Sequence, residues 1–121
     1  MRLSVLFVAI AFLVVPMAAG AADIETSPVP SPDAVQPVGM NLLAGFIPPV
    51  TVISSGQSVA WVNNDLLTAV HTVNGILGAP PGSGNIAPGG TYSATFGAGP
   101  AVVPYHCTLH PWMNGVIIVL P

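Results

Sequence analysis

The chain has 121 residues, of which 52% are hydrophobic and only 4% are charged, with one Lys or Arg against four Asp or Glu. Its single basic residue is Arg2, so the remainder carries no cation except histidine and cannot neutralise phosphates. This composition argues against nucleic acids and anionic lipid surfaces as partners, and the length fits one small domain.

The N-terminus predicts an export signal. Arg2 is followed by the apolar run LSVLFVAIAFLVV and then by the small residues AAGAA, the order found in secretory signal peptides. The best cleavage motif, Ala19-Gly20-Ala21, assigns residues 1–21 to the signal. An uncleaved membrane anchor is the alternative, because residues 3–22 are just long enough to span a bilayer. Either form places the domain in the periplasm or outside the cell.

Residues 22–38 are predicted to be a proline-rich linker. Prolines at positions 28, 30, 32 and 37 suppress helix and favour an extended chain. Two interpretations remain open: a spacer that holds the domain away from a surface, and a disordered tail without a role of its own.

Residues 39–121 have the pattern of an all-β domain. Short runs rich in Val, Ile, Thr and aromatic residues are separated by clusters of Gly, Pro, Asn and Ser. About seven to eight such strands indicate a Greek-key β-sandwich. Trp61, in the alternating segment SVAWV, is expected in the core. Strands are predicted near Met40–Leu43, Val50–Ile53, Ser58–Val62, His71–Val73, Tyr92–Phe96, Val102–Cys107 and Val116–Leu120.

Metal-binding side chains concentrate in the stretch YHCTLHPWM, which contains the only cysteine of the chain. Cys107, His110 and Met113 lie there, and His71 lies upstream in AVHTVNG. A thiolate, two imidazoles and a weak thioether are the donor set of a type 1 copper site. Zinc is the alternative metal, although it seldom takes a thioether, and iron–sulfur clusters require more cysteines. A buried thiol without metal is disfavoured because an unoccupied thiol outside the cytoplasm is prone to oxidation. His106 is excluded, since strand alternation turns it away from Cys107.

The same residues carry a family resemblance. YHCTLHPWM resembles the ligand loop of cupredoxins, with the C-x-x-H-x-x-M spacing of the short amicyanin-type loop. GQSVAWVNND, AVHTV and NIAPGGTYSATF are similar to the strands of plastocyanin-like and amicyanin-like members, so the resemblance spans nearly the whole domain. It implies one type 1 copper ion, with His71, Cys107 and His110 as equatorial ligands and Met113 as the axial ligand. Two positions depart from the family pattern: Thr72 stands where Asn is common, and Pro104 interrupts a strand.

The predicted function is one-electron transfer between exported or membrane-bound redox partners. Four protein ligands leave no open coordination position, and no acid–base cluster is evident, so we expect no enzymatic activity. In relatives the downstream histidine reaches the surface through an apolar patch, which places partner docking near His110 and Trp112, with Leu66 and Leu67 as possible neighbours. Trp112 could instead cover the loop from within. A monomer is expected.

Two other functions remain as alternatives. One is a copper-binding protein for storage or delivery outside the cytoplasm, which usually requires exposed Met or His arrays. The other is a subunit of a copper oxidase or nitrite reductase, which requires a second chain to supply catalytic copper ligands.

Overall fold

The computed structural model describes residues 34–66 and 68–121. These residues form eight strands and no helix: β1 Val35–Asn41, β2 Gly45–Ile47, β3 Val50–Ser54, β4 Ser58–Asn63, β5 Asn74–Gly75, β6 Thr91–Thr95, β7 Ala101–His106 and β8 Asn114–Leu120. Within the described ranges no helix is long and apolar enough to cross a membrane. The predicted signal peptide and most of the predicted linker lie outside these ranges.

The strands form two four-stranded sheets. The first has the order β2-β1-β4-β6 and the second has the order β3-β8-β7-β5. Strand β1 runs parallel to β4, and β3 runs parallel to β8, whereas the other pairs are antiparallel. The predicted all-β sandwich is confirmed.

Strands β3, β4, β6, β7 and β8 match predicted strands to within two residues at each end. Strand β1 begins at Val35, so residues 35–38 of the predicted linker belong to the sheet. Proline at position 37 is compatible with this pairing, because β2 joins β1 only from Gly39 onward and leaves that side of the strand open. His71 was predicted to lie in a strand, but it forms only an isolated bridge with Ile86.

An aromatic cluster fills the core between the sheets. Trp61 is fully buried, as predicted, and its ring meets Tyr105 edge-on with centroids 5.4 Å apart. The Phe46 ring also meets the Tyr105 ring edge-on, with centroids 4.7 Å apart. Met40 is also fully buried. The cluster anchors β7 two residues before Cys107, and so ties the predicted ligand loop to the core.

Gly115 on β8 lies opposite Tyr105 on β7. A Cβ atom at Gly115 would lie 2.3 Å from Cζ of the Tyr105 ring, much closer than van der Waals contact allows. The absence of a side chain at this position therefore lets the tyrosine ring lie across β8, directly below the predicted ligand loop.

Pro104 limits strand pairing on one side of β7. The N–H of Ile76 donates to the Pro104 carbonyl at 3.0 Å, but proline has no N–H to return the bond. Pairing between β5 and β7 accordingly covers only Gly75 with Tyr105 and Asn74 with His106. Strand β7 is an interior strand of its sheet, but its ladder with β5 begins only after Pro104.

Candidate metal centre

The structure brings three of the four predicted ligand residues together at one end of the sandwich. His71 comes from the segment between β4 and β5, Cys107 follows β7 directly, and His110 lies in the turn before β8. Their donor atoms all lie within 4.8 Å of one another. His71 and Cys107 are buried, whereas His110 is half-buried and reaches the surface.

Backbone hydrogen bonds hold both ligand segments. The N–H of His71 donates to the Ile86 carbonyl at 3.1 Å, and the Ile86 N–H returns a bond of 2.8 Å. In the loop, the Cys107 N–H donates to the Met113 carbonyl at 3.0 Å, and the Met113 N–H donates to the His110 carbonyl at 2.9 Å. Backbone hydrogen bonds therefore hold the two ends of the loop together.

The spacing of the donor atoms fits a single ion. Nδ1 of His71 lies 3.1 Å from Nδ1 of His110, and Sγ of Cys107 lies 3.5 Å from the same His110 nitrogen. Two ligand atoms that each sit about 2.0–2.3 Å from one shared metal ion are separated by about these distances. The residues present therefore fit one metal ion bound by one sulfur and two nitrogens.

Met113 is fully buried at the end of the ligand loop, with its backbone bonded to both Cys107 and His110. His106 lies on β7 between Asn74 and Asn114 of the neighbouring strands. It does not belong to the cluster of donor atoms found among the described residues.

Thr72 braces the ligand loop. Its N–H donates to Sγ of Cys107 at 3.3 Å. Its hydroxyl oxygen accepts the Thr108 N–H at 2.8 Å and lies 2.9 Å from the Thr108 hydroxyl. Thr72 is buried but Thr108 is exposed, so the bond to Cys107 is shielded from water and the bonds to Thr108 are only partly buried. The cross-link joins the segment of His71 to the loop of Cys107.

The carboxylate of Asp65 is a functional group that the sequence analysis missed. It accepts hydrogen bonds from Nε2 of His71, from the Leu42 N–H at 3.0 and 3.2 Å, and from Nδ2 of Asn41 at 3.3 Å. Burial acts to raise the pKa of the Asp65 carboxyl, but the bonds from His71 and Leu42 outweigh it and hold that pKa below its ordinary value. Carboxylates commonly accept hydrogen bonds from metal-bound histidines. An acidic residue six positions before His71 could therefore have pointed to Asp65 in the sequence.

Trp112 both contacts the loop and faces solvent. Its side chain is 61% exposed, while its Nε1–H donates to the Leu42 carbonyl at 2.9 Å. Its ring lies 5.3 Å from that of His110. Nearby, Leu43 and Leu66 are almost completely exposed and line one shallow depression. Trp112 therefore does not cover the loop from within: its indole N–H anchors it to Leu42, and its ring presents apolar surface beside His110.

Comparison with known proteins places these features in a family. No protein-family model matches the chain. The chain is 33% identical to amicyanin from Paracoccus denitrificans over 106 residues, which cover 81% of this chain and 80% of that protein. Among solved structures, a reduced Cu(I) form of an amicyanin variant matches with a TM-score of 0.61 and 24% identity, over 73% of this chain and 84% of that one.

Two further structures share the fold. A purple cupredoxin from Nitrosopumilus maritimus matches with a TM-score of 0.60 and 21% identity, over 70% of this chain and 99% of that one. A Cu-containing nitrite reductase from Thermus scotoductus matches with a TM-score of 0.64 and 28% identity, over 73% of this chain but only 23% of that chain. The sequence similarity to amicyanin, together with the shared sandwich, shows that the chain belongs to the cupredoxin family as an amicyanin-like protein.

Proposed function

We propose that the protein carries single electrons between redox partner proteins, with one type 1 copper ion bound by His71, Cys107, His110 and Met113. The observation that supports this proposal is that a thiol and two imidazoles meet at one end of the cupredoxin sandwich. Nδ1 of His110 lies 3.1 Å from Nδ1 of His71 and 3.5 Å from Sγ of Cys107. When bound, copper supplies the one-electron couple. The fully buried thioether of Met113 is proposed as the weak axial donor.

The protein contributes a ligand set that is held before the metal binds. The bridge between His71 and Ile86 fixes one segment, and the turn between Cys107 and Met113 fixes the other. Thr72 joins the two through its bonds to Cys107 and Thr108. Because the supporting groups are packed or hydrogen-bonded, the donors have little freedom to rearrange when the charge of the site changes. A small rearrangement is what rapid electron transfer requires.

Electrons are proposed to enter and leave at the surface of His110. This histidine is half-buried beside the exposed ring of Trp112. Among the described residues the only charged side chain is Asp65, and it is engaged with His71. Docking of a partner protein therefore depends on apolar contact at Trp112, Leu43 and Leu66, which suits brief and weak association.

The location follows from the N-terminal sequence. Residues 1–21 are proposed to direct export, and residues 22–34 to connect the domain to the signal or to a membrane anchor. The partners are then exported or membrane-bound redox proteins, and the carrier itself is proposed to be a monomer without enzymatic activity. The intact mass of the native protein tests cleavage after residue 21 directly.

Copper addition tests the main proposal. The wild-type protein should develop an intense visible charge-transfer band from the Cys107 thiolate and show reversible one-electron voltammetry. The C107S variant should lose the band, whereas H106N, altered at the neighbouring position, should keep it. A colourless wild-type copper complex would contradict the proposal. Fast release of copper to a chelator with slow electron exchange would instead favour storage or delivery.

A further inference from the structure

We propose that Trp112 is a positioning residue that holds His110 at the metal centre. The hydrogen bond of its indole ties the ligand loop, residues 107–113, to the turn between β1 and β2. This role rests on the proposed function, because it takes His110 as a copper ligand. Trp112 itself lies outside the predicted ligand set.

His110 is the predicted ligand residue that its surroundings hold least. The other three are buried, whereas His110 is half-buried and reaches the surface. Within the described residues, its imidazole makes hydrogen-bond contacts only with Nδ1 of His71 and Sγ of Cys107, at 3.1 and 3.5 Å. Both partners are donors to the same proposed ion. The orientation of the His110 ring before metal binds therefore depends on what packs against its outer side.

The indole of Trp112 packs against that side. The two rings lie 5.3 Å apart, tilted by 51°. The Trp112 side chain is 61% exposed, so it has little packing of its own to fix its rotamer. Its Nε1–H donates to the Leu42 carbonyl at 2.9 Å. This hydrogen bond therefore keeps the indole beside His110.

The turn that supplies the acceptor is itself firmly held. The Leu42 N–H donates to both carboxylate oxygens of Asp65, at 3.0 and 3.2 Å. Oδ1 of Asn41 accepts the N–H groups of Leu43 and Ala44, each at 3.0 Å. The carbonyl that meets the indole is thus a fixed point, and a bond to it restrains the side chain of the loop.

Other side-chain bonds of the ligand loop lead elsewhere. Thr108 is bonded to Thr72, in the segment between β4 and β5. Nδ2 of Asn114 donates to the Pro111 carbonyl at 3.1 Å, which is a local bond. In the part of the chain that the structure describes, the bond from Trp112 is the hydrogen bond that joins this loop to the first sheet.

This arrangement controls how copper leaves the site. His110 is the only one of the four predicted ligand residues that is not buried, so a chelator reaches the ion past this residue. His110 must then swing outward, and the Trp112 ring must move with it. Losing one hydrogen bond makes such an open state about 2- to 12-fold more populated. Copper release should become faster by the same factor.

Three variants separate the hydrogen bond from the size of the ring and from general loosening of the loop. W112F keeps an apolar ring and removes the N–H. Replacing Trp112 by benzothienylalanine keeps both rings and exchanges the N–H for sulfur. N114A is the matched control, because it removes a different exposed side-chain bond of the same loop.

Copper release to a chelator is the first measurement. Release should be about 2- to 12-fold faster from W112F and from the benzothienylalanine variant than from wild type, whereas N114A should stay within about twofold of wild type. If W112F releases copper faster but the benzothienylalanine variant does not, the size of the ring is responsible and the proposal is overturned. An N114A variant as fast as W112F would overturn it as well.

Metal-free protein provides a second measurement, which a general loss of stability would not change. Side-chain NMR couplings should show one dominant His110 rotamer in wild type and in N114A, and averaging between rotamers in W112F. In wild type the Trp112 indole N–H should exchange with solvent more slowly than a free indole N–H. Free exchange in wild type would overturn the proposal without any variant. A colourless wild-type copper complex with a protected indole N–H and one His110 rotamer would refute the proposed function and still support positioning by Trp112.

Discussion

Replacing Thr72 by valine tests how the two ligand segments are held together. The substitution keeps the branched shape of the side chain and removes only its buried hydroxyl. In wild type that hydroxyl accepts the Thr108 N–H at 2.8 Å and pairs with the Thr108 hydroxyl at 2.9 Å. Its contact with Sγ of Cys107, at 3.8 Å, is too long to add much.

The expected cost follows from the group left without a partner. In T72V the Thr108 N–H loses its acceptor, and because this bond is only partly buried the cost is that of one ordinary hydrogen bond, about 0.5–1.5 kcal/mol. The Thr108 hydroxyl can turn to water because this residue is exposed, so it adds little. We expect T72V to lower the free energy of unfolding of the metal-free protein by about 0.5–1.5 kcal/mol.

Urea unfolding of the metal-free protein measures this loss, and T108V is the matched control. T108V removes the hydroxyl pair but keeps the Thr108 N–H bonded to Thr72, so it should cost less stability than T72V does. Equal stabilities for the two variants would refute the reasoning, because the N–H acceptor would then make no difference. Copper should also leave T72V faster than T108V, since only T72V frees the ligand loop.

Three further predictions concern the core, alkaline pH and salt. G115A places a Cβ 2.3 Å from the Tyr105 ring, so it should lower the free energy of unfolding by about 1–3 kcal/mol. G97A has open space at its Cβ and should unfold like wild type in the same assay. Burial raises the pKa of Tyr105 from 10.0 to about 12. Because the tyrosine of the unfolded chain ionises first, the free energy of unfolding should fall by about 1.4 kcal/mol per pH unit between these two values. The metal-free Y105F variant should lose less free energy of unfolding than metal-free wild type over the same pH range. Since Asp65 is the only charged side chain in the described domain, electron exchange with a redox partner should change by less than about twofold between low and high salt; a steep decline in stopped-flow rates would show that docking is electrostatic.

Part of this molecule could be predicted from local patterns. Alternating apolar residues around Val59 and Trp61 indicated a strand with one buried face, and β4 has this pattern. Strand β2 was missed because three residues are too few to show an alternation. The start of β1 was placed too late because Pro37 was counted with the prolines of the linker, although parallel pairing with β4 leaves the other side of the strand open there.

Some features of the candidate site could likewise be predicted from the sequence, and others could not. Cys107, His110 and Met113 are recognisable because a single short loop supplies all three, and their spacing is a property of the sequence. His71 lies in a distant segment; its imidazole was counted in the same donor set, and the family resemblance gave it the role of an equatorial ligand. The contact of Asp65 with its imidazole depends on how the chain from residue 63 to residue 71 is folded. That conformation rests on the bonds of Asp65 to Asn41 and Leu42, which are over twenty residues away.

The sequence by itself therefore determined the class of fold and predicted a donor set, because local periodicity indicates the strands and one short loop carries three of the four predicted donors. Only the tertiary structure decided which groups support those donors. The hydrogen bond between Trp112 and Leu42, for example, joins residues that are 70 positions apart in the sequence. Such pairs meet only when the sheets have packed and the loops at one end are drawn together, so no local pattern predicts them.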